Sequence, residues 1–376
     1  DLGTVLVLAL TVGALAAINS WDFPTYLLIA LLALVVRDIC AASRLRERGE
    51  TGGLVSRLAL SVLLFVALVA LSYVLYLPFH WWFKSFYGSI GVAWLHSPLH
   101  LYLVNFGLFL FIGLTWVLSR QSSLTGRDAW WLLIAGVAVL IAVAVDQPLA
   151  AFLLIAIALT LRAFGRATAD RRETFALLLL VVALVICLGT EEFYVVDFLQ
   201  GGEYHRMNTV FKFYIQAWVL MGLSAAVLLV LLLQRRSLDG LGWLRGAWVA
   251  VFALALFASS VYPILGTVSR VGDRFDTDVP PTLDGERYMG SAVYHDELSG
   301  RVAYLPLVDD YEAIEWLRAN VRGTPVVLEA SIPPYRWGSR VSVYTGLPTV
   351  LGWDNHERQQ RYPEQVDRRL IDVTRM

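Results

Sequence analysis

The sequence predicts a polytopic α-helical membrane bundle followed by a small external α/β domain. Hydrophobic residues make up 57% of the 376 residues and charged residues only 16%, and the mean hydropathy is +0.61. This composition excludes an ordinary soluble enzyme, because soluble domains carry about 25% charged residues. After Tyr262 and Pro263 the composition changes, since residues 267–376 hold 13 Arg and 17 Asp or Glu. We therefore expect a transmembrane domain over 1–266 and a truncated extracytoplasmic α/β domain over 267–376.

Nine apolar runs approach the roughly 20 residues that a helix needs to cross a bilayer. Only Asp146, Gln147 and Pro148 separate the fifth and sixth runs, so one broken helix is the alternative to a tight hairpin. The hairpin is predicted, because it keeps the flanking Arg127 and Arg162 on one side of the membrane. The runs fall at about 2–18, 23–42, 54–77, 99–119, 129–146, 148–165, 173–190, 208–233 and 244–266.

Basic residues concentrate in alternate loops. Fourteen arginines flank the second, fourth, sixth and eighth loops, whereas Lys84, Arg206 and Lys212 lie near odd-numbered loops. The positive-inside rule therefore predicts a multi-pass protein of the cell membrane with a cytoplasmic N-terminus and an extracytoplasmic C-terminal domain. The chain begins at Asp1 inside an apolar run and lacks a signal-peptide pattern, so we expect a piece of a longer protein.

A charged loop turns directly into the eighth apolar run, in the stretch GGEYHRMNTVFKFYIQAW. Within it Asn208, Lys212 and Gln216 follow an i, i+4, i+8 spacing and share one helix face. A lysine in hydrocarbon costs roughly 2.5–3.5 kcal/mol, so such a residue usually faces a bundle interior or a wet cavity. The alternative is that Lys212 snorkels to the interface. The pattern favours a substrate-binding face.

Acids and histidines suited to catalysis fall in the loops that this orientation places outside the cell. Asp22 lies in the motif NSWDFP, and Glu191 and Glu192 precede the charged loop. Asp22 and Asp146 also fit helix caps, since each stands before a helix start with Pro two residues later. The candidate catalytic carboxylates are Asp22, Glu191 and Glu192, and the candidate substrate-binding residues of this region are Glu203, His205, Arg206, Asn208, Lys212 and Gln216.

The external domain shows one clear helix pattern. Residues 267–306 have the composition of an extended polar loop, and the helix YEAIEWLRANV follows with Ile314, Leu317 and Val321 as its apolar stripe. The segment VVLEA predicts a strand, and RVSVYTGLPTVLGW predicts two short strands around a Gly-Leu-Pro turn. Residues 355–374 have a helical pattern that Pro363 interrupts.

Asp354, His356 and Glu357 lie within four residues of one another in this domain. Carboxylates and a neutral imidazole can hold a divalent metal ion. Side chains one or two positions apart rarely point at one centre, so a hydrogen-bonding loop is the alternative, with His356 and Glu357 as substrate-binding candidates. Cys40 and Cys187 lie in separate apolar runs and indicate neither a disulfide nor a metal pair.

Four motifs carry a resemblance to a known family. They are INSWDFPTY, the EEFYVVD segment, RMNTVFKFYIQAW and the closing TGLPTVLGW with its following His and Glu. Together they resemble the uncharacterised multi-pass membrane family named for a triple tyrosine, the YYY or Chlor_Arch_YYY domain of unknown function. The likeness covers nearly the whole chain, although the triple tyrosine and the family's N-terminal acidic stretch are absent and the tail ends sooner.

That family is in turn similar to the GT-C glycosyltransferases, which join many membrane helices to an external domain and use polyprenyl-phosphate sugars. The unit DDYEAIEWLRANVRGTPVVLEA resembles the start of soluble domains in oligosaccharyltransferase catalytic subunits. In GT-C enzymes an acid of the first external loop typically acts as the catalytic base. The resemblance therefore implies a base upstream of Asp1, with Asp22 as the substitute candidate.

The residues and the resemblance favour one function, transfer of a sugar from a polyprenyl-phosphate donor at the outer face of the bilayer. Arg206 and Lys212 would pair with the lipid phosphate, and Asn208 and Gln216 would bind its oxygens. The alternative is a transporter or flippase of a lipid-linked or anionic substrate, in which the intramembrane lysine marks the substrate path. A structural or assembly protein would leave this polar face unexplained. No nucleic-acid partner is expected.

Overall fold

The computed structural model describes residues 2–47, 53–84, 88–121, 126–167, 170–197, 199, 201–235, 242–275, 279, 281–298, 301–334 and 336–376. The chain divides into two compact units. The first comprises Asp1–Trp81 and Tyr87–Ser260, and the second comprises Trp82–Phe86 and Val261–Met376. The first unit is mostly helical, the second combines short helices with irregular segments, and each contains a small two-stranded sheet within the residues described.

Each of the nine apolar runs is a helix in the described part of the chain, and one short extra helix, α4, follows the third. The bounds are α1 Leu2–Ile18, α2 Asp22–Glu47, α3 Leu54–Leu75, α4 Leu77–Trp82, α5 Leu99–Ser119, α6 Gly126–Ala144, α7 Pro148–Phe164, α8 Arg171–Glu192, α9 Met207–Gln234 and α10 Trp243–Val261. Strands β1 (Ile90–Val92) and β2 (Phe193–Val195) pair antiparallel, with Gly91 opposite Tyr194.

Six helical segments within the described residues are long and apolar enough to cross a membrane. They are Asp22–Leu45, Leu54–Leu75, Leu99–Ser119, Arg171–Glu192, Met207–Gln234 and Trp243–Arg274. Three further apolar helices are shorter, Gly3–Ile18, Leu132–Ala144 and Pro148–Phe164. Several membrane-spanning helices are thus present, and a count of nine spans stays a prediction.

The last apolar helix is longer than the sequence predicts. It continues from α10 through a π-helical turn, Tyr262–Gly266, into α11, Thr267–Arg274. Pro263 has no N–H to donate, and a wider π turn is one way for a helix to pass such a residue without ending. The prediction of an extended loop from residue 267 is therefore wrong for its first eight residues.

Helix α8 forms the centre of the first unit. Its side chains Leu177, Leu180 and Leu184 are almost completely buried and pack with residues of α5, α7 and α9, such as Trp116 and Leu228. Ser224 on α9 donates a 2.8 Å hydrogen bond to the Ala176 carbonyl of α8. The apolar composition of α8 therefore reflects protein contacts on most of its surface.

Helices α6 and α7 form the hairpin that the arginine positions predict. Asp146 adopts a left-handed backbone with φ of 57°, and the backbone N–H of Gln147 donates to the Ala142 carbonyl at 2.8 Å. Ala142 of α6 packs against Ala150 and Ala151 of α7. Asp146 is therefore a turn residue, and the N-cap of α7 is Gln147, whose side chain makes no capping hydrogen bond.

One end of the bundle, hereafter the arginine-rich end, gathers the termini of several helices. The buried Glu173 carboxylate lies 2.9 Å from Arg120 and 2.9 Å from Arg235. Arg235 also pairs with Asp170, the N-cap of α8, at 3.0 Å. These ion pairs hold the C-termini of α5 and α9 against the N-terminus of α8.

The second unit contains a hairpin that the sequence analysis did not predict. Strands β3 (Val293–Leu298) and β4 (Arg301–Pro306) pair antiparallel in the segment expected to be a polar loop. A one-turn 3₁₀ helix, Arg287–Gly290, precedes the hairpin, and α12 (Val308–Asn320) follows it where a helix was predicted. Met289, Leu307 and Ile314 form the small core that joins these elements.

None of the three strands predicted in this unit forms among the described residues. Val327 makes only an isolated parallel bridge to Thr349, and Arg340–Thr345 is a helix, α13. The Glu329 carboxylate accepts the amides of Val341 and Ser342 at 2.9 and 3.2 Å and so caps α13 from outside its own sequence. Helices α14 (Asp354–Arg358) and α15 (Pro363–Arg375) end the chain, separated just before Pro363 as predicted.

Candidate functional site

The candidate site of the first unit lies at the end of the bundle opposite the arginine-rich end, where β1 and β2 join the loops. Gly91 is required in β1, because an added Cβ would lie 2.6 Å from the Tyr194 ring. The His205 ring stacks on Trp94 at 3.5 Å between centroids and meets the Tyr194 edge at 4.7 Å. His205 is thus held in an aromatic packing that fixes the start of α9.

A buried carboxylate, Glu191, organises this end of the bundle. Its Oε1 accepts hydrogen bonds from Arg206 and the Tyr214 hydroxyl, each at 3.0 Å. Its Oε2 accepts the Ser97 amide at 2.7 Å and a second Arg206 nitrogen at 3.3 Å. We call Glu191, Arg206, Ser97 and Tyr214 the carboxylate cluster. It ties the loop before α5, the end of α8 and the first turns of α9 together.

Further polar contacts extend the carboxylate cluster to neighbouring loops. Arg206 also donates to the Thr190 carbonyl at 2.7 Å, a favourable position for a cation at the C-terminus of α8. The His96 ring donates from Nδ1 to the Glu191 carbonyl at 3.1 Å, and its Nε2 lies 2.9 Å from the side-chain amide nitrogen of Gln147. The turn between α6 and α7 is thereby joined to the same network.

The charges of Glu191 and Arg206 pair with each other and do not face solvent or a cavity. The carboxylate is 1% exposed, and its four accepted hydrogen bonds occupy the lone pairs that a proton or substrate would need. A buried charge pair of this kind is held by its own partners. Both side chains are thus engaged by the protein itself, and a catalytic role for Glu191 and a substrate-binding role for Arg206 stay predictions.

The polar face of α9 has three residues with different environments. Asn208 donates to Asp197 at 2.7 Å, and the buried Gln216 donates to the Trp21 carbonyl at 3.1 Å. Lys212 lies between them, half-buried, and its ammonium nitrogen is 5.6 Å from the Phe211 ring centroid. Among the residues described, no carboxylate pairs with Lys212.

The contact between Gln216 and Trp21 brings the turn before α2 against the second turn of α9. The Trp21 ring also meets Phe213 edge-on at 5.6 Å. Asp22, the first residue of α2, follows Trp21 directly. Asp22 and the face that carries Lys212 are thus parts of adjoining segments.

Two other predicted acids lie near the carboxylate cluster in sequence. Glu192 is half-buried at the end of α8, and its carbonyl accepts the Ala93 amide at 2.9 Å. Glu203 is exposed in the loop before α9. Within the described ranges, the carboxylates of Asp22, Glu192 and Glu203 have neither a hydrogen-bond partner nor an ion pair. These three carboxylates therefore remain available to a ligand.

An apolar cavity of about 270 Å³ lies between the end of α8 and the start of α9. Thr190 lines this cavity and is also the residue whose carbonyl binds Arg206. Thr209 and Phe213, on either side of Lys212 in the sequence, line its α9 wall. An apolar chain could therefore lie within one helical turn of the unpaired lysine.

The second unit holds His356 and Glu357 in a polar cavity of about 310 Å³. The Trp353 and His356 rings meet edge-on at 5.6 Å. Glu357 pairs with Arg361 and Asp354 pairs with Arg358, so each carboxylate faces a guanidinium. In the described residues no group of three or more His, Cys, Asp or Glu side chains could hold a metal ion. Asp354, His356 and Glu357 lie on the short helix α14, whose two carboxylates are held in ion pairs.

Sequence reasoning missed four residues that build the first site: Ser97, Tyr214, His96 and Gln147. His96 was visible only as an external histidine, and Ser97 and Tyr214 gave no signal of their own. Ser97 and Glu191 lie 94 residues apart. A contact at such a separation leaves no local pattern in one sequence.

The helices and the buried polar network define a polytopic membrane protein, set in a lipid bilayer. The chain belongs to the uncharacterized membrane protein (DUF2298) family, whose model matches residues 1–221. The matched region includes the carboxylate cluster and the polar face of α9. No curated protein and no solved structure matches the chain.

Proposed function

We propose that the protein is a membrane glycosyltransferase of the GT-C type that uses a polyprenyl-phosphate-linked sugar. The observation that carries this proposal is Lys212, a half-buried cation in the second turn of α9 with no carboxylate partner among the described residues. Keeping an unpaired charge there is costly, so an arriving anion is its natural partner. A lipid phosphate combines that anion with an apolar chain.

The surroundings of Lys212 suit both parts of such a donor. The N-terminus of α9 presents the positive end of the helix dipole, which favours phosphate. The apolar cavity beside Thr190 and Phe213 would receive the first isoprene units. The chemistry of the α9 face therefore fits a phosphate with a hydrocarbon tail better than a free polar ion.

In the proposed reaction the acceptor hydroxyl attacks the anomeric carbon of the donor sugar. Asp22 or Glu192 takes the hydroxyl proton as general base, because both carboxylates lack partners in the described structure. The bond between the anomeric carbon and the phosphate oxygen breaks, and Lys212 stabilises the charge left on the polyprenyl phosphate. Glu191 and Arg206 hold the loops in place.

The polar cavity around His356 and Glu357 supports a sugar-binding role for the second unit. Its lining includes Ser339, Ser342 and Gln360, which supply hydroxyl and amide groups. Trp353 adds an aromatic surface to the same cavity. We propose that this cavity binds the acceptor.

The test uses the purified chain in nanodiscs with polyprenyl-phosphate-linked mannose or glucose, radiolabelled on the sugar. We expect sugar release or transfer that Lys212→Met reduces about 100-fold or more, the usual cost of removing one charge-stabilising group. Lys212→Arg should retain part of the activity, because it keeps the charge but changes the geometry. Asp22→Asn and Glu192→Gln identify the base.

Lys84 provides the matched control, since it is the other lysine of the chain and lies 4.8 Å over the Tyr362 ring in the second unit. Lys84→Met should leave the activity near that of the parent chain. Equal activity of Lys212→Met and the parent would refute the proposal. Movement of the intact labelled lipid across a liposome without cleavage would favour the flippase instead.

A further inference from the structure

A second cavity of about 350 Å³ lies between α2 and α8 near the arginine-rich end of the bundle. Helix α2 contributes Arg37, Cys40 and Arg44, which follow i, i+3, i+7 spacing and share one face. Helix α8 contributes a second stripe with the same kind of spacing. The full lining is Ala33, Val36, Arg37, Cys40, Arg44, Arg171, Thr174, Phe175 and Leu178.

The cavity is polar at one end and apolar at the other. On α2 the lining runs from Ala33 towards Arg44 as the chain approaches the arginine-rich end, and on α8 it runs from Leu178 back to Arg171. Arg44 and Arg171 thus stand near the helix ends, whereas Arg37 stands about two turns deeper on α2, at the level of Val36. The remaining apolar lining residues also lie deeper along the helices. This is the polarity of a lipid, with its headgroup at the interface and its chains in hydrocarbon.

The arginines differ in how well the protein neutralises them. Arg37 pairs with the buried Asp38 at 2.9 Å and donates to the Ser61 hydroxyl at 2.9 Å. Arg44 donates only to the Cys40 carbonyl, at 3.1 Å. Within the described part of the chain neither Arg44 nor Arg171 has a carboxylate partner. The mouth of the cavity therefore keeps about two uncompensated positive charges.

We propose that this cavity binds the phosphate of an anionic phospholipid, with Arg44 and Arg171 on the headgroup and an acyl chain against Val36, Phe175 and Leu178. A guanidinium fork matches the geometry of phosphate oxygens, and charged hydrogen bonds of this kind are among the strongest in proteins. Anionic lipids are attracted to basic residues next to membrane helices. The site is separate from the face of α9 and does not depend on the proposed transfer reaction.

The experiment measures binding to the purified full chain in neutral detergent by native mass spectrometry and by the shift of the unfolding temperature. The probes are phosphatidylglycerol, phosphatidylcholine, glycerol phosphate and inorganic phosphate. We expect phosphatidylglycerol to bind and to raise the unfolding temperature, and Arg44→Gln/Arg171→Gln to weaken its binding about tenfold or more. Arg44→Lys/Arg171→Lys keeps the charge and should retain part of the affinity.

Arg57→Gln/Arg270→Gln is the matched control, because it removes two exposed arginines that line no part of this cavity. Unchanged phosphatidylglycerol binding in that control would support a local site, whereas an equal loss would show a general charge effect and overturn the proposal. Binding of inorganic phosphate as tight as that of phosphatidylglycerol would show an anion site without a lipid. Equal affinity for phosphatidylcholine, or unchanged binding after Arg44→Gln/Arg171→Gln, would also overturn it.

Discussion

The charged residues near the start of α9 fall into two groups with different physical roles. Glu191 and Arg206 are buried against each other, and a charge pair in such a place is costly to separate. Lys212 and Glu192 lack charged partners in the described residues and are only half-buried. The sequence alone made all four residues candidates for the site. The structure distinguishes them by whether an oppositely charged side chain lies beside each one.

Removing one member of the buried pair should therefore lower the free energy of unfolding far more than removing the neighbouring Glu192 carboxylate. We expect Glu191→Ala to lower the free energy of unfolding by about 3–5 kcal/mol, because the buried Arg206 keeps its charge without a counter-ion. Arg206→Met should cost a similar amount. The double variant should cost less than the sum of the two single variants. Thermal unfolding of the purified chain in detergent measures all three.

Glu192→Ala is the control for this cycle, because it removes a carboxylate of the same type one residue away. We expect it to change the free energy of unfolding by less than about 0.5 kcal/mol. A loss as large as that of Glu191→Ala, or strict additivity in the double variant, would contradict the assignment of Glu191 to the buried pair.

At the scale of elements, the apolar runs predicted the helices of the first unit well. The composition of short segments predicted the strands of the second unit badly. A run of 17 to 28 apolar residues has few alternatives to a helix in a bilayer, where backbone groups must bond internally. The segment RVSVYT has the β-branched composition of a strand, yet it is helical. Its cap comes from Glu329, 12 residues earlier, and Gly346 ends it with φ of 73°. A contact beyond the segment overrode its local preference.

If Glu329 determines the conformation of α13, its removal should loosen that helix in particular. We expect Glu329→Ala to reduce stability by about 1 kcal/mol, as for the loss of an N-cap side chain. Hydrogen exchange at the Val341 and Ser342 amides should speed up, because both lose their acceptor. Exchange measured by mass spectrometry on the full chain tests this expectation.

Glu312→Ala, on an exposed face of α12, removes a carboxylate that makes no contact among the described residues. It should leave exchange in α13 unchanged. Slow exchange at Val341 and Ser342 in Glu329→Ala would mean that the backbone of α13 holds itself without this cap.

At the scale of the whole molecule, the orientation in the membrane is open to a direct test. Between Arg57 and Glu203 the chain passes through α3, α5, the α6–α7 hairpin and α8. The chain crosses the bilayer three times if the two short helices of the hairpin do not span it, and five times if they do. The number of crossings is odd in both cases. The two positions should therefore lie on opposite sides.

The test replaces Cys40 and Cys187 with Ala and introduces Arg57→Cys or Glu203→Cys singly. An impermeant maleimide should label Glu203→Cys in intact cells and Arg57→Cys only after permeabilisation. The reverse pattern would invert the orientation predicted from the arginines, and labelling of both in intact cells would contradict the order of helices. Asp146→Cys then reports whether the α6–α7 hairpin reaches the outer side.

The sequence predicted which stretches enter the membrane and which residues were chemically unusual, but it did not predict how those residues pair. Asn208, Lys212 and Gln216 follow helical spacing, so the sequence alone predicted that they share one helix face. The partners of Glu191 come from the loop before α5 and from α9, and nothing local specifies them. Roles that depend on such partners require the packed structure.

The ion pair of the carboxylate cluster also bears on how the chain enters the membrane during synthesis. Glu191 and Arg206 are 15 residues apart and lie at the two ends of the loop between α8 and α9. Helix α8 alone would reach the bilayer with an uncompensated acid, and that acid gains its counter-ion only when the start of α9 follows. The two helices are therefore best inserted together as one hairpin. A chain that ends within the loop should therefore hold α8 in the membrane less stably than a chain that extends through α9.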